Sequence, residues 1–229
     1  MGRMSFLIFD ADDTLWENNI YFERAFEDFC GYLDHSTLAP VAIRDVLNEI
    51  ELVNAKIHGY GAVNFGRNLQ QAYEHLVERH IQPADLQHVM SLAVRILEQP
   101  IELIEGVEET LAELSKRHDL TLFTKGHPEE QKMKVDRSGL AKYFAYTAIV
   151  KEKDAGAYRR LADERGYEHA NTWMIGNSPK SDIRPALEAG LNAVLVPHAH
   201  TWVLEREDLR DVDGRFLQVA KFSDLKSHF

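Results

Sequence analysis

The chain has 229 residues, enough for one large domain or two modest ones, each with a core of its own. Its formal charge of −11 argues against a nucleic-acid binder, because that affinity rests on Lys and Arg neutralising phosphates. The single cysteine, Cys30, rules out an intrachain disulfide, and no apolar run approaches the roughly 18 residues of a membrane span. Phe26 and Phe29 beside Cys30 point to a packed, inert thiol. Met1-Gly2-Arg3-Met4-Ser5 leads straight into the first apolar run without a secretory signal, so the sequence predicts a cytoplasmic protein with no membrane or nucleic-acid partner.

The first element is the short apolar strand Phe6-Leu7-Ile8-Phe9, which ends abruptly in Asp10-Ala11-Asp12-Asp13-Thr14-Leu15-Trp16. An N-cap needs one carboxylate, and this stretch holds three. In an open α/β sheet, ligands bind outside the carboxyl ends of strands, and like charges crowded there raise a pKa or call for a cation. Four stripes at helical spacing follow: Phe22 to Leu33, Ile43 to Ile57, Leu69 to Val77 and Leu86 to Leu97. Pro40 and Pro83 sit where helix starts tolerate proline. This block reads as a small helical bundle inserted as a lid. Gly59 to Gly66 within it holds part of a dinucleotide fingerprint, but it lies between helices and reads as a cap loop. Phe65 and Arg67 of that region could reach down to substrate.

From Ile101 the texture becomes strand–helix alternation, with strands predicted at 120–124, 146–150, 172–175 and 193–196 and a short one near 216–219. Helices are predicted near 107–117, 129–138, 156–165 and 183–189, closed by Gly139, Gly166 or Gly190. The fold class is therefore α/β: a Rossmann-like parallel-sheet core over residues 1–15 and 100–229, with a helical cap over residues 16–99.

Each later strand end carries chemistry. Thr124-Lys125-Gly126 offers a hydroxyl, an ammonium and glycine backbone, a set able to hold an oxyanion. Lys151-Glu152-Lys153-Asp154 follows the next strand. Gly176-Asn177-Ser178-Pro179-Lys180-Ser181-Asp182 follows the one after, with oxygen ligands that suit a hard cation such as Mg²⁺. His198-Ala199-His200 has metal-like spacing but no evident third ligand, and reads as a surface loop.

Taken together, these motifs resemble those of the haloacid dehalogenase superfamily, in particular its phosphatase-like branch, over nearly the whole chain. Asp10-Ala11-Asp12-Asp13-Thr14 matches the family's Asp-x-Asp-x-Thr, Thr124 its strand-ending Thr or Ser, and Lys153 its lysine, with Lys151 as competitor. The proline that usually follows this lysine is absent. Gly176-Asn177-Ser178 and Asp182 match the fourth motif, with Asn177 where many members have Asp. The resemblance implies a Mg²⁺-dependent phosphatase of a small phosphorylated metabolite with a helical cap inserted after the first motif. Asp10 would be the nucleophile and Asp12 the general acid and base. Lys153 and Asp182 would complete the catalytic set. Asp10, the Asp12 carbonyl, Asn177 and Asp182 would hold the metal, with Asp182 acting through water or orienting Lys153. Thr124, Lys125 and Gly126 would cradle the phosphoryl group, with Asp13, Trp16 and Arg67 as further candidates for substrate contact. A phosphomutase, a haloacid dehalogenase and a non-catalytic binding module on the same fold are the alternatives. Substrate identity and oligomeric state are not written in the sequence.

Overall fold

The computed structural model describes residues 4–212 and 214–229. Residues 1–3, which open the stretch read above as lacking a secretory signal, lie outside it, as does residue 213. Two compact units emerge: one combines the segment ending at Glu17 with Ile101–Phe229, and the other is Asn18–Pro100. Among the described residues no helix is long and apolar enough to cross a membrane.

The first unit is a six-stranded, wholly parallel sheet in the order β3-β2-β1-β4-β5-β6. Its strands are β1 (Phe6–Phe9), β2 (Asp119–Lys125), β3 (Tyr146–Val150), β4 (Thr172–Gly176), β5 (Asn192–Leu195) and β6 (Phe216–Gln218). Leu7, Ile8 and Phe9 are all fully buried, as expected of a central strand covered on both faces. Leu7 and Phe9 enter a cluster with Val107, Leu111, Val135 and Phe222, whereas Ile8 enters another with Tyr158, Leu161 and Ala186. The period of two along the strand thus sends alternate side chains into two helical layers. These layers contain α5 (Val107–Leu114) and α6 (Pro128–Ser138) on one side, and α7 (Ala155–Arg165) and α8 (Arg184–Glu188) on the other. Phe9 lies level with Leu122 of β2 and Ile175 of β4, and because the strands are parallel their carboxyl ends run out toward one common edge. The chain reverses its direction of travel across the sheet between β1 and β4, which is where such folds open a crevice.

Beyond β1 the chain turns sharply through Asp13, a non-glycine residue at φ 59°. Trp16 then forms bridges with Asp12 and with Leu103, and Ala11, Leu15 and Trp16 sink into the core. These contacts attach Trp16 and Glu17 to the sheet unit, moving the boundary past the one read from sequence.

The second unit packs α1 (Asn19–Leu33), α2 (Pro40–His58), α3 (Ala62–Leu76) and α4 (Pro83–Val94) around Phe26, Phe29, Leu47, Phe65, Leu69, Tyr73 and Val89. Pro40 and Pro83 occupy first-turn positions, where the missing N–H costs nothing. The region read as a loop is corrected here: α3 begins at Ala62, so Phe65 lies on a helix. Phe65 is buried against Phe22, with ring centroids 5.1 Å apart, which rules it out as a surface reaching for substrate.

Candidate active site

Asp10 leaves β1 with its amide bonded to the Ile175 carbonyl at 2.9 Å, which fixes its backbone to the end of β4. Its carboxylate meets two donors. Lys153 Nζ approaches Oδ1 at 2.5 Å, and Thr14 Oγ1 approaches Oδ2 at 3.0 Å. Lys153 is buried, whereas its competitor Lys151 is exposed, so only Lys153 stands beside Asp10. Burial opposes charge on this lysine, yet the Asp10 and Asp182 carboxylates outweigh it and hold the ammonium above the usual lysine range.

Asp182 bonds Lys153 Nζ through Oδ1 at 2.8 Å and the Ser178 amide through Oδ2 at 2.9 Å. As placed, Asp182 orients Lys153 and the loop after β4, the second of the two roles expected from sequence. One bond to each oxygen leaves acceptor capacity for the other role, a metal contact through water. Gly176 makes this packing possible, since a Cβ there would lie 2.2 Å from Asp182 Oδ2.

Thr124, the last residue but one of β2, is buried, with its hydroxyl on Gln131 Oε1 at 3.3 Å. The same Gln131 donates from Nε2 to Asp12 Oδ2 at 2.8 Å. Asp12 also accepts from Trp16 Nε1 at 2.8 Å and from Lys134 Nζ at 3.0 Å and 2.9 Å. Trp16 is only 1% exposed, so its expected substrate contact is corrected to a buried prop for Asp12.

Two members of the expected phosphate cradle are committed elsewhere. Lys125 Nζ lies 2.6 Å from Glu205 Oε1 and 2.8 Å from Ser181 Oγ, and the Gly126 amide donates to the Val150 carbonyl at 3.1 Å. Lys125 therefore ties the loop after β2 to the loop after β4. Glu205 takes part in this tie with its carboxyl lowered, because Lys125 and the nearby serines more than offset its burial. Arg67 belongs to the helical unit, exposed, with its guanidinium on Asn64 Oδ1 at 2.7 Å.

A family model for haloacid dehalogenase-like hydrolases matches residues 4–190. The chain belongs to this hydrolase family. Its sheet, and the order in which the acid pair, Thr124, Lys153 and the Gly176–Asp182 loop meet at one edge, fit that assignment. A haloacid dehalogenase-like family hydrolase from Xanthomonas campestris is similar at 30% identity and TM-score 0.86, over 98% of this chain and 90% of that one. An L-2-haloacid dehalogenase from Xanthobacter autotrophicus (15% identity, TM-score 0.67, 98% of both chains) shares the fold. So does a predicted phosphoglycolate phosphatase from Haemophilus somnus (15% identity, TM-score 0.68, 100% of this chain and 99% of that one). No curated protein matches. Proteins described under two different activities thus share this fold, and the fold does not choose between them.

The family's use of a cation can be tested against the donors present. Thr14 Oγ1 lies 3.0 Å from Asp10 Oδ2 and 3.2 Å from Asn177 Oδ1, yet a hydroxyl has one proton for these two acceptors. The amide of Asn177 is turned so that Nδ2 donates to Thr201 Oγ1 at 3.0 Å, and Thr201 spends its own proton on the His198 carbonyl at 3.1 Å. Thr201 therefore accepts from Asn177 and leaves Oδ1 on the Thr14 hydroxyl, which it shares with Asp10 Oδ2. Two buried oxygens with too few protons between them suit a hard divalent cation.

A second donor group is brought together by folding: Asp13, Glu17 and His198. His198 presents Nδ1 to Asp13 at 3.7 Å and Nε2 to Glu17 at 3.2 Å. Each side chain offers one atom and these lie within 4.8 Å of one another, close enough to hold an ion through a single His198 nitrogen. With Nδ1 accepting the His200 amide at 3.3 Å, the ring proton sits on Nε2, which faces Glu17. Asp13, expected to touch substrate, is buried here with an oxygen 3.7 Å from His198 Nδ1. Reading the sequence alone did not reveal Gln131, Lys134, Thr201 or Glu205. Each lies on an element whose local pattern is merely amphipathic or mixed.

Proposed function

We propose that this hydrolase is a Mg²⁺-dependent phosphatase of a small phosphorylated metabolite, working through an aspartyl-phosphate. The observation that carries the reading is a second carboxylate, Asp12, on the turn that follows Asp10 and partly open to solvent. A dehalogenase expels a halide and has no leaving alkoxide to protonate, so it gains nothing from that group.

An Asp10 carboxylate oxygen attacks phosphorus and the bond from phosphorus to the ester oxygen breaks. Asp12 gives its proton to the departing alkoxide. Water then attacks the aspartyl-phosphate, Asp12 takes up the proton the water releases, and inorganic phosphate leaves with Asp10 regenerated. Lys153 supplies a fixed positive charge to the transferring group, and Thr124 would turn its hydroxyl to that group from Gln131 Oε1. Asp10, the Asp12 carbonyl and Asn177 would hold Mg²⁺. Bound there, the ion would supply positive charge that offsets repulsion between an anionic nucleophile and an anionic substrate. The helical unit Asn18–Pro100 is assigned the role of cap, setting which leaving group is accepted.

Asp10→Asn tests the reading. It should abolish Mg²⁺-dependent hydrolysis of p-nitrophenyl phosphate while the melting temperature stays close to that of the parent, because a neutral amide does not attack phosphorus. Chloride release from 2-chloropropionate by the parent, without phosphate release from any of a panel of phosphorylated metabolites, would replace the phosphatase by the dehalogenase. Transfer of the phosphoryl group within a sugar phosphate would point to the mutase.

A further inference from the structure

We propose that Gln131 and Lys134, one turn apart on α6, are positioning residues that set the Asp12 carboxylate for proton transfer. The inference rests on the phosphatase reading of Asp12. A carboxylate has about four acceptor sites. Here Oδ1 receives Trp16 Nε1 and Lys134 Nζ, and Oδ2 receives Gln131 Nε2 and Lys134 Nζ. These contacts suit the ionised carboxylate, so the ammonium must leave one oxygen for Asp12 to carry the proton it gives. Two of the three donor side chains come from α6, a helix that begins only three residues after β2 ends.

The amide of Gln131 has a defined sense. Its Oε1 takes the Thr124 hydroxyl, so its Nε2 must face Asp12. The side chain is 5% exposed, and a buried amide is costly unless paired. Both of its side-chain partners here are residues of the site itself. The loop before α6 is shaped around it: Gly126 has φ +147°, and a Cβ at that position would lie 2.8 Å from Gln131 Nε2. Lys134 contributes what Gln131 lacks, a positive charge shared between both oxygens, with its side chain 12% exposed. Together they hold the plane of the carboxylate before substrate arrives. Misplacing such a group by about 1 Å is enough to cost on the order of 10² in rate.

The test compares p-nitrophenyl phosphate with phenyl phosphate in the first half-reaction, read as single-turnover release of the phenol. The first leaves readily without a proton and the second needs one, so the ratio of their rates reports proton transfer. Asp12→Ala serves as reference and should raise that ratio. Gln131→Leu and Lys134→Met should raise it in the same sense by about tenfold or more, while Lys134→Arg stays within about threefold of the parent. In the Asp12→Ala background, Lys134→Met should change the ratio no further. Should Gln131→Leu fail to fold, the two Lys134 variants carry the test. A ratio unchanged in Lys134→Met, whether or not both rates fall, overturns the positioning role while leaving the phosphatase reading intact. A ratio unchanged in Asp12→Ala overturns the acid assignment itself, and this inference falls with it.

Discussion

Asn177 stands where many family members place an aspartate, and the change removes one negative charge from the donor set while keeping an oxygen in place. That oxygen faces the Thr14 hydroxyl beside Asp10 because Thr201 accepts from Nδ2, having given its own proton to the His198 carbonyl. Two expectations follow from this chain of donors. Asn177→Asp should lower the Mg²⁺ concentration giving half-maximal activity by on the order of tenfold, since an added charge near a divalent ion is worth about 1–2 kcal/mol in partly screened surroundings. Thr201→Val should raise it, because the amide loses the contact that sets its sense. Direct titration with Mn²⁺, followed by the loss of its free-ion resonance, reads both effects without reference to turnover. An unchanged midpoint in Asn177→Asp would show that this side chain does not touch the ion. Sequence alone points to Asn177. Which way its amide faces is decided by a threonine from the loop after β5.

At the scale of elements, the end of β4 carries the tightest packing in the site. A Cβ at Gly176 would sit 2.2 Å from Asp182 Oδ2 and 2.5 Å from its Cγ. Asp182 is 1% exposed and bonded through both oxygens, so it cannot retreat without releasing Lys153 or the Ser178 amide. Gly176→Ala should therefore lower stability by roughly 1–3 kcal/mol, the range for an overpacked core, and cut turnover by more than the loss of folded protein explains. Chemical denaturation beside activity per folded molecule separates the two. The strand and helix order was legible because β1, β2 and β4 are short apolar runs with polar ends, a local pattern. The glycine in Gly-Asn-Ser was legible only as part of a motif. Its reason, the Asp182 carboxylate folded back against it, depends on the irregular turn at Pro179–Ile183.

For the sheet unit as a whole, the contacts of His118 join the two ends of the chain. The Ser5 amide donates to Nδ1 at 3.1 Å, so the ring proton sits on Nε2, which faces the Phe229 carbonyl at 3.3 Å. Burial holds this imidazole below its ordinary pKa. The folded protein therefore binds a proton at His118 less readily than the unfolded chain, for which the pKa is about 6.5. Stability from this group is present above that value and is lost as pH falls through and below it. Melting temperatures at pH 7.5 and 5.5 should show a larger drop for the parent than for His118→Gln, which cannot take up the proton. Equal drops would remove His118 as a source of the pH dependence.

The α/β architecture, the helical insertion and the placing of Asp10, Thr124 and the loop of Asn177 at one sheet edge follow from local signals, whereas the choice of Lys153 over Lys151 comes from the family resemblance. Apolar runs mark the strands, helical spacing marks the insertion, and a parallel sheet brings the ends of its strands to the same side. The partners of those residues do not follow from local signals. Lys134 lies 122 positions from Asp12, and Glu205 lies 80 from Lys125. Lys125 and Gly126 show the difference most plainly: their place after a strand makes them look like phosphate ligands, yet a distant carboxylate and a neighbouring strand carbonyl engage them. A hydrogen bond depends on direction and on a separation of about 3 Å, and a one-dimensional pattern contains neither for residues that only folding brings together.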